Sequence, residues 1–315
     1  MIVRDEAAVL DRCLDSLAGL TAQLCVVDTG STDRTADIAR RRGAEVVRWE
    51  GCNDDAGRIV DFASARNHAL ALARGDWVLQ IDADEVLEAG AALVAGYLAD
   101  SRVDQVAVAI QSGGAQWLSG RLFRRSKVRG YRSRIHEYLE CGGHCVNDPG
   151  IRIVNLPDKR GKERASDRNL RICLLAAEED PNDARIAYYL ANEYRVSGRI
   201  DEALQAYRRS LALDTYPVGR FHAMYHLGVC HVLRGEWDLA VQAGQMAIAI
   251  DARYAEAHCL VGDAHSCADR LALAVPCYRQ ALACRQPPAD AVFAPELWAY
   301  GEHPRRRLRE LGVST

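Results

Sequence analysis

Gly75-Asp76-Trp77-Val78-Leu79-Gln80-Ile81-Asp82-Ala83-Asp84-Glu85 is an apolar run that ends in three acids. Trp77 to Ile81 follows a Gly-Asp turn and is rich in β-favouring side chains, so it reads as a central strand of an α/β sheet. Asp82 and Asp84 then fall at the strand's carboxyl end, the edge where open α/β sheets bind ligands. Two carboxylates one residue apart can share a hard divalent cation, magnesium or manganese, whose shell is completed by phosphate oxygens and water. The plainer alternative is that Asp-Ala-Asp-Glu caps a following helix.

Upstream, Leu24-Cys25-Val26-Val27 reads as a buried strand running into Asp28-Thr29-Gly30-Ser31-Thr32-Asp33-Arg34-Thr35. Gly30 lets the backbone turn, Ser31 or Thr32 can cap the next helix, and Asp33 suits its positive end. Asp28 is left over from that account: a strand-end carboxylate able to accept hydrogen bonds from a base or ribose. The helix ends at Gly43, and Glu45 to Trp49 alternates as another strand, so two β-α-β steps predict a parallel sheet. Before them, Ile2-Val3 looks like the tail of a strand, followed by a helix with Val9, Leu10, Cys13, Leu14 and Leu17 on one face. A strand of about 5 residues is usual, so the natural reading frame is expected to begin upstream of Met1. Between Gly51 and Asp61 lies a polar loop. Phe62 to Arg74 makes a small-residue helix whose Arg66 can clamp a diphosphate bidentately.

The chain has 315 residues, 49% hydrophobic and 26% charged, enough for a sizeable core and two domains. A formal net charge of −3 with scattered arginines excludes a basic nucleic-acid footprint. No apolar run approaches the roughly 18 residues of a membrane span, and Met1 to Glu6 lacks a signal-peptide layout. A cytoplasmic location is therefore expected. Eleven dispersed cysteines, an odd number, read as buried thiols and not as disulfides. Cys141-Gly142-Gly143-His144-Cys145 has no second pair at zinc spacing and reads as a loop or hairpin turn.

Four blocks occur in order: Asp28 to Thr35, Ala65-Arg66-Asn67, Gly75 to Glu85, and Arg134-Ile135-His136-Glu137. Together, over residues 1–137, they resemble family 2 glycosyltransferases of the GT-A fold. The resemblance implies a metal-dependent, hexosyltransferase-type enzyme with a nucleotide-diphosphate sugar donor, UDP foremost, and inversion at the anomeric carbon. It places Asp28 near the base, Asp82 near the ribose and metal, and Asp84 on the metal. Transfer from a diphosphate needs charge stabilisation on the departing oxygens and a base for the acceptor's proton. Glu137 is the expected base; His136 is its rival, or a metal or diphosphate contact. Relatives often carry a histidine on the strand closing this domain, where this chain reads Ile153-Val154-Asn155.

Lys159 and Lys162 lie in a polar stretch read as a linker or active-site loop. From Asp167 strand signals stop and helices repeat. Ala191, Tyr194, Gly198, Ala203 and Tyr207 recur as Gly228, His231, Gly235, Ala240 and Gly244, then as Gly262, His265, Asp269, Ala274 and Tyr278. The offsets are 37 and 34 residues, the second being the tetratricopeptide period. The expected organisation is a GT-A domain at 1–156, a linker at 157–166 and a tetratricopeptide-like domain at 167–315. Asp167 to Glu179 is expected as a lone helix, Pro295 to Tyr300 as a cap on the last repeat, and Arg305-Arg306-Arg307 as part of a solvated basic helix. Stacked helix pairs bind extended peptides or partner proteins. The whole arrangement resembles bacterial family 2 glycosyltransferases with appended repeats, whose acceptors include peptides and surface polysaccharide. A catalytically degenerate scaffold that binds partners is the competing reading.

Overall fold

The computed structural model describes residues 1–313 except Gly114, Lys159, Gly161, Lys162 and Val292. Lys159 and Lys162, which prompted the reading of a polar loop, thus lie outside the described residues. The chain divides into two compact units, residues 1–163 and 164–315.

The first unit begins with β1 (Ile2–Val3), α1 (Leu10–Ser16), β2 (Cys25–Asp28), α2 (Thr35–Arg41), β3 (Glu45–Arg48) and α3 (Phe62–Leu72). Then come β4 (Trp77–Leu79), β5 (Glu85–Ala89), α4 (Ala91–Ala99), β6 (Gln105–Ser112) and β7 (Ala115–Arg124). It closes with β8 (Val128–Arg132), β9 (Tyr138–Cys141) and β10 (Cys145–Asn155). β1-β2-β3 form a parallel sheet, as the two β-α-β steps require. A second, mixed sheet has the order β4-β7-β6-β10-β5, parallel at β6–β10 and antiparallel elsewhere, and β8 pairs with β9.

The strand Trp77–Leu79 therefore sits at one end of its sheet instead of the centre. Its ladder partner is β7, and the two residues of β1 pair with β2 alone. Between β2 and β4 lies a cavity of about 740 Å³, lined by Leu24, Cys25, Trp77, Val78 and Leu79, with Arg66 and Tyr131 on its wall. Buried Cys13, Leu17, Val106, Val108, Ile110, Leu122, Ile151 and Ile153 make the main core of this unit. The Asp82–Asp84 turn leads into β5 and not into a helix, so helix capping does not explain its acids.

The second unit contains α5 (Ala165–Glu179), α6 (Ala184–Val196), α7 (Ile200–Leu213), α8 (Pro217–Leu233), α9 (Trp237–Ile250), α10 (Ala255–Cys267), α11 (Leu271–Ala283) and α12 (Glu302–Glu310). α5 starts inside the stretch expected as linker. The repeat positions are explained by close approach. A Cβ on Gly228 would lie 2.6 Å from Leu260, and one on Gly262 would lie 2.8 Å from Tyr278. Gly198, Gly235 and Asp269 all turn the chain with positive φ, 78°, 72° and 57°. Just beyond each, the amides of Arg199, Glu236 and Arg270 return to the carbonyls of Tyr194, His231 and His265 at 2.8 to 2.9 Å, the bond that closes a Schellman motif. One expectation fails at the C-terminus. Arg307 is not solvated but donates to the Tyr278 hydroxyl (3.1 Å) and Ser266 Oγ (2.7 Å), because Leu308 beside it is buried against Ala274 and Tyr278.

Eleven free cysteines are present, of which Cys13, Cys52, Cys173, Cys230 and Cys259 are buried. Cys141 to Cys145 is the turn joining β9 to β10. Among the described residues no helix is long and apolar enough to cross a membrane.

Candidate active site

Arg66 organises the site. It stands in the second turn of α3, whose start is fixed by Asp61 accepting the Ser64 amide at 2.8 Å. Its neighbour Asn67 is pinned in both directions, donating to the Tyr131 carbonyl (2.9 Å) and accepting from the Tyr131 amide (2.7 Å). Gly130 permits this approach, since a Cβ there would lie 3.0 Å from Asn67 Oδ1. The Ala-Arg-Asn motif thus has a division of labour: Ala65 is fully buried, Asn67 ties α3 to β8, and Arg66 faces the acids.

The Arg66 guanidinium holds Asp82 bidentately, at 2.7 and 3.0 Å, while its Nε donates to Glu137 Oε1. One side chain therefore joins two residues assigned from separate motifs 55 positions apart. A second guanidinium does similar work: Arg121 on β7 grips both oxygens of Glu85 (2.8 and 3.1 Å) and approaches Asp82 at 3.8 Å. Glu85 also accepts the Asp82 amide at 2.8 Å, which sets the shape of the Asp82–Asp84 turn. Burial would raise the Asp82 carboxyl, but Arg66 and then Arg121 outweigh it and hold Asp82 well below the usual carboxylate range. Glu85 goes the other way: burial pushes it up to about 7, against the pull of Arg121.

Asp84 differs from its neighbours. Its carboxylate makes no hydrogen bond or ion pair among the described residues, while its backbone carbonyl accepts the Leu156 amide at 2.8 Å. Asn155 pairs across from Glu85 in the β5–β10 ladder, so the strand that closes the domain does run past the acidic turn. Asp28 is buried, and its Oδ1 accepts the amides of Gly30 (3.1 Å) and Ser31 (2.7 Å). That bonding shapes the loop after β2. Ser31 and Thr32, expected as helix caps, instead bind Asp5, and Asp33 accepts the Thr35 amide at 2.9 Å. Asp5, itself at positive φ (51°), takes up both side chains: its amide donates to Ser31 Oγ at 3.0 Å and its Oδ1 accepts the Thr32 amide at 2.7 Å and hydroxyl at 3.2 Å.

His136 and Glu137 lie on the irregular segment between β8 and β9, with His136 at φ 51°. The structure therefore brings Arg66, Asp82 and Glu137 into contact, keeps Asp84 beside them in the turn, and leaves Asp28 bonded to its own loop at the end of the other sheet. Reading by sequence missed Arg121 and Glu85 as partners. The available signal was a charged residue, Arg121, directly before the apolar pair Leu122-Phe123, which fills both faces of the strand at that point, so that the guanidinium calls for an acid beside it.

Two guanidinium groups among four carboxylates leave the cluster net negative, which favours a cation. Among the described residues no three His, Cys, Asp or Glu side chains converge as a metal cage. A magnesium-type ion commonly uses only one or two carboxylates and takes its other ligands from phosphate and water. The unpartnered Asp84 fits that mode. Asp82 fits it less well, with Arg66 on both of its oxygens.

A mixed α/β domain with arginine-bound acids at its strand ends, followed by helix pairs, defines the class. Residues 1–145 match the glycosyl transferase family 2 model, and residues 174–219 and 188–255 match the tetratricopeptide repeat model. The chain thus carries a family 2 glycosyltransferase domain followed by tetratricopeptide repeats. It is 30% identical over 273 residues to a TPR repeat-containing protein of Synechococcus elongatus, covering 79% of this chain and 64% of that one. An uncharacterized glycosyltransferase of Rickettsia bellii is 35% identical over 89 residues, 28% of this chain and 27% of the other. The SPbeta prophage-derived glycosyltransferase SunS of Bacillus subtilis is 23% identical over 227 residues, 67% of this chain and 52% of that one. The chain spans less than two thirds of the length of each.

Proposed function

We propose that this chain transfers a sugar from a nucleoside-diphosphate donor, UDP foremost, to a peptide, protein or glycan acceptor with inversion at the anomeric carbon. The observation that carries the reading is the contact of Arg66 with both Asp82 and Glu137 beside an Asp84 whose carboxylate has no partner among the described residues. Asp82, kept ionised by Arg66, is an acceptor for ribose hydroxyls. Asp84 would hold a magnesium or manganese ion, which when bound offsets charge on the diphosphate. Glu137 takes the proton of the acceptor nucleophile as that nucleophile bonds to the anomeric carbon, and the nucleoside diphosphate departs with the electrons of the broken bond. Arg66 keeps Glu137 oriented before transfer and lies within the same cluster as the diphosphate's counter-charges. His136, adjacent in the loop, is the rival base. The repeats orient the acceptor.

Titration calorimetry with UDP and manganese tests this. Asp84→Ala should weaken metal-dependent binding at least about tenfold, the order expected when a metal site is disturbed. Binding indifferent to both the metal and the mutation would sink the proposal. The scaffold reading is favoured by Asn155, which stands beside the acidic turn and is a poor metal ligand. Absence of any UDP binding by the folded chain would select it.

A further inference from the structure

The turns inside successive helix pairs differ in charge. Between α8 and α9 the turn is Arg234-Gly235-Glu236, and 34 positions on, between α10 and α11, it is Ala268-Asp269-Arg270. Glu236 holds two groups of its own pair: its Oε2 lies 2.6 Å from Nδ1 of the buried His231, and its Oε1 lies 2.9 Å from Arg234 Nε. Arg234 also reaches back to Asp201 at the start of α7.

In the next pair the arginine stands where the acid stood. Arg270 now makes the backward ion pair, from its Nη1 to Asp238 at the start of α9, and Ala268 replaces the earlier arginine. The exchange removes the carboxylate but keeps the groups it served. His265, the counterpart of His231, is buried, and its Nδ1 has no hydrogen-bond partner among the described residues. Arg270 Nε and Nη2 are buried atoms and likewise have none. Leaving buried polar groups of this kind unmet is costly. Nε and Nη2 are also the edge of a guanidinium that takes a carboxylate through two parallel bonds. Beside them lies a cleft of about 440 Å³, walled by Trp237, Asp238 and Leu239 from the start of α9 and by Ala268 and Arg270. Its acids do not exclude an anion, because Glu236 is paired with Arg234 and Asp238 with Arg270.

The geometry points to a binding site for a carboxylate carried on an apolar group. The carboxylate takes the Nε–Nη2 edge of Arg270 together with His265 Nδ1, as Glu236 takes His231 and Arg234 one pair earlier, and Trp237 and Leu239 cover the apolar part. A free organic acid and the C-terminal carboxylate of a peptide share this chemistry. The site is built from turns and the start of α9, not from the faces of the first helices. It rests neither on sugar transfer nor on the repeats orienting an acceptor.

The test is a titration of the full-length chain with phenylacetate, followed through the Arg270 Nε–Hε and Trp237 indole resonances in ¹H–¹⁵N spectra. Both should shift saturably with a Kd on the order of 1 mM, as suits so small a ligand. Phenylacetamide, which has the same shape without the charge, should shift neither. Arg270→Lys keeps the charge but loses the fork, and should bind at least tenfold more weakly. Arg270→Glu combined with Ala268→Arg rebuilds the arrangement of the preceding pair, so that a carboxylate of the chain itself meets His265. That variant should lose binding while the helical unit melts no lower than in the wild type. Acetyl-Gly-Phe with a free C-terminus, if it binds more tightly than phenylacetate, marks a peptide terminus as the ligand; if it binds no more tightly, a free acid is the ligand. Should the double variant lack cooperative unfolding by circular dichroism, Arg270→Lys decides alone. No saturable shift, an equal response to phenylacetamide, or undiminished binding by a folded variant overturns the inference. No donor or transfer is involved, so failure here leaves the proposed enzyme untouched, and failure of the UDP titration leaves this site untouched.

Discussion

Arg66→Met removes the guanidinium at the centre of the site while keeping an unbranched side chain of similar reach. Asp82 and Glu137 side chains are 27% and 14% exposed, so both are largely cut off from the water that would replace it. Arg121 stays 3.8 Å from Asp82, which leaves Glu137 the more stranded of the two. Breaking a buried pair by removing one partner costs about 3–5 kcal/mol, and the residual exposure of Asp82 places the expected loss near the lower end, about 3 kcal/mol. In urea at pH 7 that moves the unfolding midpoint of the first unit by about 1 M or more. Hydrogen exchange read peptide by peptide separates this unit from the helical one.

The pH dependence gives a second readout of Arg66→Met. In the wild type Asp82 is depressed, so its contribution is present above about pH 4, its unfolded value, and is lost as the pH falls below it. Without Arg66, burial raises Asp82, and acid relieves the variant. The gap between the two proteins should therefore be widest near pH 7 and narrow toward pH 4. A loss below about 1 kcal/mol, or a gap that does not narrow, refutes the reasoning.

Glu137→Gln should lower turnover by about 10²–10⁴ with donor affinity nearly unchanged; full turnover would pass the role to His136, whose alanine variant tests whether base or ligand is lost. Asp269→Gly should raise the melting temperature of the helical unit, by up to about 1 kcal/mol of stability, because it occupies the left-handed position that Gly198 and Gly235 hold; unchanged melting would show that the aspartate is not strained. His222 is pushed down to about 4 by burial, with Asp251 opposing. Its contribution is fully present above about pH 6.5 and is lost as the pH falls toward 4, about 2 kcal/mol by pH 5. The melting of the helical unit should show this dependence, and His222→Gln should reduce it without abolishing it, because His226 is also held well below the ordinary imidazole range by burial.

The acids at 82 and 84, the strand–loop–helix after Asp28 and the repeat spacing were legible because each rests on a local rule: β-favouring runs, turn residues and close helix approach act over a few residues of chain. The offsets of 37 and 34 even carried the turn positions, since Gly198, Gly235 and Asp269 share one backbone conformation. The strand Trp77–Leu79 was legible as a strand but not as an end strand, because its neighbours are chosen by ladders with residues more than 40 positions away. Nor could the motifs declare their bonds. Which acid Arg66 holds, that Arg121 and Glu85 form a buried pair, and that the Asp84 carboxylate has no partner among the described residues depend on where α3, β7 and the β4–β5 turn converge. The same holds for Phe293, whose sequence neighbours say nothing of the Tyr188 and His222 rings it meets 105 and 71 positions upstream. Sequence by itself determined the elements, their periods and the chemical groups available; tertiary structure alone decided their partners, because burial and charge pairing are set by distances between segments that the chain's local preferences do not constrain.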